Sequence, residues 1–251
     1  MTYKTDKEIS ILKEGGRILA SILSLLQKFV EENYSRGITA IDVDGLAEKL
    51  LKEAGATPSF KGFHSFPASL CVSINDEVVH GIPTKDKIFR EGDLVSLDIG
   101  ARYKNLYTDM AVSFVLGQGS DEARKLVAET KNALMLGIAE AKVGNKIGDI
   151  GFAIEDYLAK FGYGIVRNYT GHGVGHGVHE DPPVPNYGKK GTGEELKVGM
   201  VLAIEPMVTL KGEKVSVDAD GWTVRAIDGS YVAHWEHTVA VTEKGPVILT
   251  E

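Results

Sequence analysis

The sequence predicts an α+β fold built from two matching halves, about 5–117 and 120–248. Antiparallel strands of both halves form one curved sheet, with helices on the outer face and the other face open to hold a site. Three observations lead there. A helical stripe (Ile9, Leu12, Leu19, Ile22, Leu26) contrasts with short runs rich in Val, Ile, Leu and Phe that Gly, Pro and Asp punctuate. The same order of elements then occurs twice. Landmarks also recur at a constant offset: Gly37, Asp42, Gly92 and Asp98 return 107 residues later as Gly144, Asp149, Gly199 and Glu205.

The elements follow in order. T-D-K-E at Thr5–Glu8 matches a capping box, in which the Thr5 hydroxyl and the Glu8 carboxylate satisfy backbone donors at a helix start. Thr39 and Asp42 open a second helix, with Leu46, Leu50 and Leu51 expected on its buried side and Gly55 at its end. Leu70–Ile74, Leu94–Ile99 and Ala111–Leu116 read as strands. Ser120 opens a helical stretch to about Ala141, and Ile147 to Phe161 reads as another helix.

Composition narrows the class of function. With 43% hydrophobic and 25% charged residues, the 251-residue chain has the make-up of an ordinary soluble protein. A net charge of -7 argues against a general nucleic-acid binder, whose affinity rests on Lys and Arg neutralising phosphates. The one cysteine, Cys71, cannot form an intramolecular disulfide, and the segment MTYKTDKEIS lacks the apolar core of a signal peptide. No apolar run reaches the roughly 20 residues that span a bilayer. A cytoplasmic location without membrane attachment is expected.

Four acids interrupt apolar strand-like text. Asp98 ends LVSLD and Asp109 stands eleven residues later before MAVSFVL, so the pair is expected on adjacent strands of one hairpin. Glu205 lies in VLAIEPMV and Glu236 in HWEHTVAV. One such acid is most simply read as facing solvent, because strand residues alternate faces. Four in repeat-related segments point instead to a cation, since buried carboxylates are paired or coordinated. GHGVGHGVHEDP adds histidines among glycines; His172 and His179 are seven apart, so a bend must intervene if both reach one site. One histidine with four carboxylates suits two divalent ions that share ligands and activate a water, which makes hydrolysis the expected chemistry. There is no G-x-x-x-x-G-K-[ST] phosphate loop and no G-x-S-x-G elbow, and Cys71 in SLCVSI reads as a buried, inert thiol.

Taken in order, HGIP, LVSLDIG, YTDMAVSF, GHGVGHGVHEDP, LAIEPM and HWEHTVAV resemble the methionine aminopeptidases of the duplicated pita-bread fold, in their short type I form, from about Thr5 to Gly245. The resemblance implies one catalytic domain over 1–251 that removes the N-terminal methionine from polypeptides with a small second residue. It implies two divalent cations (Mn, Fe, Co or Zn) held by Asp98, Asp109, His172, Glu205 and Glu236, with Asp109 and Glu236 bridging. Glu205 is then also the general base, while His80 and His179 bind the scissile amide and stabilise the tetrahedral intermediate. The methionine pocket maps onto Phe60, Phe63, Phe66, Cys71, Val178 and Trp222. His64, His176 and His234 match no ligand position; His176 is expected to orient neighbours at most, and His237 has no assigned role. Thr108 stands where many relatives have glycine before the bridging aspartate, which is expected to bear on the hairpin.

The implied partners are nascent or newly made polypeptide N-termini, with the ribosome as a transient neighbour, and the expected state is a monomer. Only 26 residues separate His179 from Glu205, too few for the helical insertion of type II relatives, and no zinc-binding extension precedes Thr5. X-Pro peptidases are the nearest alternative, but they usually carry an extra N-terminal domain. Relatives that have lost their metals and bind RNA, histones or peptides are a second alternative, and these typically lack several ligands.

Overall fold

The computed structural model describes residues 2–251. Helix α1 (Asp6–Asn33) starts at the capping box read from the sequence, with Thr5 as N-cap and Glu8 reaching back to the Thr5 backbone. Helix α2 (Ala40–Glu53) starts the same way, Asp42 accepting from the Thr39 N–H at 2.8 Å. Its buried side is Ala40, Val43, Asp44, Ala47 and Leu51, while Leu46 and Leu50 are only partly buried and pack at the margin of the core. Gly55 (φ +71) ends it as expected. Helices α3 (Asp121–Ala139) and α4 (Ile147–Ala159) occupy the two later helical stretches, Ser120 capping α3 by accepting from the Ala123 N–H.

Fourteen strands follow the chain: β1 (Thr57–Pro58), β2 (Cys71–Ile74), β3 (Leu94–Tyr103), β4 (Leu106–Val115), β5 (Gly164–Ile165), β6 (Gly171–Gly173), β7 (Glu180–Val184), β8 (Val201–Ile204), β9 (Met207–Thr209), β10 (Val215–Val217), β11 (Val224–Ala226), β12 (Val232–His234), β13 (Glu236–Thr242) and β14 (Gly245–Ile248). Nine of them form one antiparallel sheet in the order β1-β3-β4-β13-β8-β6-β7, with β2 also on β3 and β14 on β13. The β4–β13 pairing is the seam between the halves. The β3–β4 hairpin pairs without a break from Leu94↔Val115 to Tyr103↔Leu106, longer than the two runs read from sequence.

The repeat is visible in the backbone. Helices α2 and α4 begin at residues 40 and 147, strands β3 and β8 at 94 and 201, the same 107-residue step. The bridges Thr39↔Ile88 and Lys146↔Glu195 obey it, as do the hydrogen bonds from Ala40 N to Lys87 O (2.8 Å) and from Ile147 N to Glu194 O (2.9 Å). Gly92 and Gly199, two residues before their strands, have φ of +88° and +89°, a left-handed turn that glycine adopts without cost.

Alternation along the strands then divides the sheet into an outer and an inner face. Val95, Leu97 and Ile99 of β3 and Met110, Val112 and Phe114 of β4 pack against α1 and α2. Leu202, Ile204, Val239 and Val241 pack against α3 and α4. Thr108 also takes the outer face, buried beside Gly15 of α1, and the hairpin register around it is regular, so the residue leaves the hairpin undisturbed. His237 points outward too, its Nδ1 2.9 Å from Thr250 Oγ1. Among the described residues no helix is long and apolar enough to cross a membrane.

Helix α1 lies so close to the C-terminal segment that a Cβ on Gly16 would sit 2.1 Å from the Leu249 carbonyl oxygen. Because that neighbour is backbone, Gly16→Ala should destabilise the protein by about 1–3 kcal/mol, the usual cost of overpacking. Urea unfolding followed by circular dichroism checks this, and an unchanged midpoint would contradict the close contact.

Candidate metal centre and its pocket

Register alone brings the five sequence-derived ligand positions to one face. Asp98 of β3 pairs with Ala111 of β4, and Ala111 with Glu236 of β13; paired residues share a face, so Asp98, Asp109, Ala111 and Glu236 all point inward. Across β13, Thr238 pairs with Ala203 of β8, and Ala203 with His172 of β6, which puts His172 on that face, and Glu205 follows two residues after Ala203. Cys71 joins them through its pairing with Asp98. Asp109, His172 and Glu236 each offer a ligand atom within 4.8 Å of the others. His172 Nε2 lies 3.4 Å from Glu205 Oε1.

The glycines of the motifs are explained by contact. A Cβ on Gly171 would meet the Ala203 carbonyl oxygen at 2.3 Å, and one on Gly173 the Asp181 carbonyl oxygen at 2.4 Å; β6 is a strand squeezed between β7 and β8, so His172 needs glycine on either side. In HGIP, His80 has a φ of +58°, and a Cβ on Gly81 would lie 2.2 Å from the Val72 carbonyl oxygen. A non-glycine residue held left-handed costs about 1–2 kcal/mol, and here the backbone places an imidazole in the pocket.

The expected bend between His172 and His179 is present. The chain leaves β6, turns through residues 174–179 and re-enters at β7, leaving the two rings 4.3 Å apart, edge to face. The turn is pinned from the N-terminal side. Glu180 accepts from His176 N (2.6 Å), Gly177 N (3.0 Å) and Lys4 Nζ (2.8 Å) and contacts the Thr2 hydroxyl. Burial opposes its charge, but those hydrogen bonds, led by Lys4 and Thr2, bring its pKa down to about 2. His176 Nε2 meets Glu8 Oε1 at 2.7 Å, so the capping residue of α1 also braces the turn.

Burial governs the electrostatics. Burial raises Glu205, Glu236 and Asp98 well above the usual carboxylate range, the neighbouring carboxylates adding to it, and pushes Asp109 up to about 7. Burial lowers His80 to about 4 and His172 to about 3, in each case with help from His179, and lowers His179 itself. The imidazoles are therefore neutral at pH 7 and have a lone pair to offer. Asp98 Oδ1 and Glu236 Oε1 are buried without a hydrogen-bond partner, and among the described residues no Lys or Arg pairs with any of the four acids. Several carboxylates left this way cost several kcal/mol each unless a cation compensates them, so the residues present fit divalent metal.

A cavity of about 850 Å³ opens over these groups. Its apolar wall is the cluster of Phe60, Phe66, Cys71 and Trp222, with Phe66 edge-on to Trp222 at 5.1 Å. Phe63 stands edge-on to His179 at 5.2 Å. Burial pushes the Cys71 thiol up, as do Asp98 and Asp109, which agrees with the inert thiol read from its apolar surroundings. Val178 is buried between Gly177 and His179 and is not among the residues that line the cavity. His64 and His176 sit at the rim. Tyr169, Thr170 and Met207 line the cavity without having been anticipated; Tyr169 is edge-on to His80 at 5.6 Å. Tyr169 and Thr170 lie just before GHGVGHGVHEDP and Met207 is the apolar end of LAIEPM, so no residue type marked them out.

With this geometry in view, comparison with known proteins is decisive. The model of metallopeptidase family M24 matches residues 10–243. The chain belongs to that family. It is 47% identical to a methionine aminopeptidase of Clostridium acetobutylicum over 98% of this chain and 97% of that one. The crystal structure of the methionine aminopeptidase of Thermotoga maritima superposes with a TM-score of 0.94 at 42% identity, covering 100% and 99% of the two chains. A prolidase of Pyrococcus horikoshii shares the fold more distantly, with a TM-score of 0.78 at 25% identity, and only 63% of its chain is covered. The pita-bread fold implied by the motifs is thus the fold of this M24 member.

The raised carboxylates carry a pH signature in chelator-treated protein. Asp109 has a folded-state pKa of about 7, above the roughly 3.9 of an unfolded aspartate. The folded state therefore binds extra protons between those values, and the stability they confer is full below about pH 4 and lost as the pH rises through 7. Metal-stripped protein should melt at a lower temperature at pH 8 than at pH 5.5, and Asp109→Asn should flatten the slope. Calorimetry showing a melting temperature that climbs over this range would contradict the assignment.

Proposed function

We propose that the chain hydrolyses the peptide bond after an N-terminal methionine in polypeptides whose second residue is small, acting as one catalytic unit over 1–251. The observation that carries the reading is the convergence of Asp109, His172 and Glu236 on the floor of an aromatic pocket, in a chain of the methionine aminopeptidase branch. Asp98, Asp109, His172, Glu205 and Glu236 would hold two divalent cations, manganese, iron, cobalt or zinc, with Asp109 and Glu236 shared between them. Once bound, these supply Lewis-acid polarisation of the scissile carbonyl and a nucleophile formed from water at neutral pH.

The chain's own groups do the rest. Glu205, a carboxylate lining the cavity beside His172, takes a proton from the attacking water and returns it to the departing amine. His179 and His80, both neutral, line the cavity and donate to the carbonyl oxygen as it gains charge. Phe60, Phe63, Phe66, Cys71 and Trp222 enclose the thioether, a soft, unbranched side chain that such a wall accommodates. The substrates are N-termini of nascent or finished polypeptides, met in the cytoplasm near the ribosome, and the working unit is a monomer.

Mass spectrometry of Met-Ala-Ser, Leu-Ala-Ser and Ala-Pro-Ser peptides, with chelator-stripped protein and added manganese, iron or cobalt, tests the reading. Metal-dependent loss of methionine alone is expected; cleavage of the proline peptide would move the protein to the X-Pro branch, and no cleavage with any metal would defeat the proposal. Asp109→Ala should lose bound metal and activity together, whereas His179→Ala should keep metal and lose roughly 10²–10³-fold in kcat, the usual cost of an oxyanion donor. Full metal occupancy in Asp109→Ala would overturn its bridging role.

A further inference from the structure

His234 is the one histidine near the centre that neither the metal ligands nor the amide-binding pair accounts for. It ends β12, is 2% exposed, and its Nε2 has no hydrogen-bond partner. That nitrogen lies 3.7 Å from Oε2 of Glu205, whose other oxygen is turned toward His172 at 3.4 Å. The two carboxylate oxygens are thus divided between two imidazoles. An unmade hydrogen bond on a buried nitrogen is costly, and 3.7 Å lies just beyond hydrogen-bonding range, so a small rotation of the carboxylate supplies the missing partner.

The position of the ring is set by the scaffold. His234 N donates to Ser113 Oγ at 2.8 Å, and the Ser113 hydroxyl contacts the His234 carbonyl oxygen at 2.8 Å. Ser113 is itself 2.7 Å from Ser96 Oγ, so the pair ties β12 to the β3–β4 hairpin that carries Asp98 and Asp109. On its other side His234 pairs with Met207 of β9, two residues after Glu205. The backbone on both sides of the Glu205–His234 approach is therefore fixed.

We infer that His234 is a positioning residue for Glu205: its Nε2–H donates to Oε2, leaving Oε1 and His172 to face the cation together. The inference rests on the metal-centre reading above and adds a residue to it. The outer partner of a metal-ligating group typically contributes about 10–100-fold to metal affinity or turnover. A donor is what the role requires, so glutamine can fill it and leucine cannot.

The test compares wild type, His234→Leu and His234→Gln. Manganese affinity is measured by titration calorimetry on chelator-stripped protein, and kcat and KM are measured on Met-Ala-Ser, with thermal melts of the metal-free proteins run alongside. His234→Leu should bind manganese about 10–100-fold more weakly, or lose that factor in kcat with KM little changed, while His234→Gln recovers most of the loss. A His234→Leu protein that melts like wild type, binds manganese with wild-type affinity and keeps its kcat overturns the inference and leaves the metal-centre reading intact. Equal losses in the Leu and Gln variants overturn it too, because a donor would then not be what matters. If wild type itself binds no manganese, iron or cobalt, the metal-centre reading fails and the inference falls with it.

Discussion

Four carboxylates sit on the inner face of a single antiparallel sheet with no lysine or arginine among the described residues to neutralise them, and much of the molecule is arranged around that fact. Pairing register brings them together from four places in the chain, so their proximity is a property of the whole sheet rather than of any loop. The outer face supplies the stability that such a concentration of acid needs. Two apolar clusters, one under α1 and α2 and one under α3 and α4, hold the strands in register from behind.

The histidines answer the same constraint from the other side. Kept neutral by desolvation, they can approach the acids and a substrate amide without adding positive charge that would compete with a metal for the carboxylates. Their placement is expensive in backbone terms: His80 is left-handed, and His172 fits only between two glycines. The turn that carries His179 is braced by residues at the start of the chain, Lys4 and Glu8, which lie far from it in sequence.

The fold was legible wherever local chemistry decides it. A capping box marked the start of α1, Thr39 with Asp42 marked the start of α2, and a constant offset showed the two halves to match, because each depends on residue types at fixed spacings. Charged residues interrupting apolar strands disclosed the acids for the same reason. What stayed hidden depends on which way a side chain turns. Val178, expected in the pocket, is not among its lining residues, while Tyr169 and Met207 look like ordinary core residues and line it. His234 looked peripheral because its neighbour Glu205 is 29 positions away in sequence and meets it only once β9 and β12 have paired.

The two halves do not contribute equally. The first provides the hairpin with both aspartates; the second provides both glutamates and His172, although Asp98 and Glu205 hold equivalent places in the repeat. A site lying on a pseudo-two-fold seam is what two identical subunits would make, and identical subunits must place identical residues on either side of the axis. Carrying both halves in one chain lifts that requirement. One side of the seam is then free to specialise in short, rigid acids and the other in a longer acid beside imidazoles, so a peptide approaching from the open face meets a site with a direction.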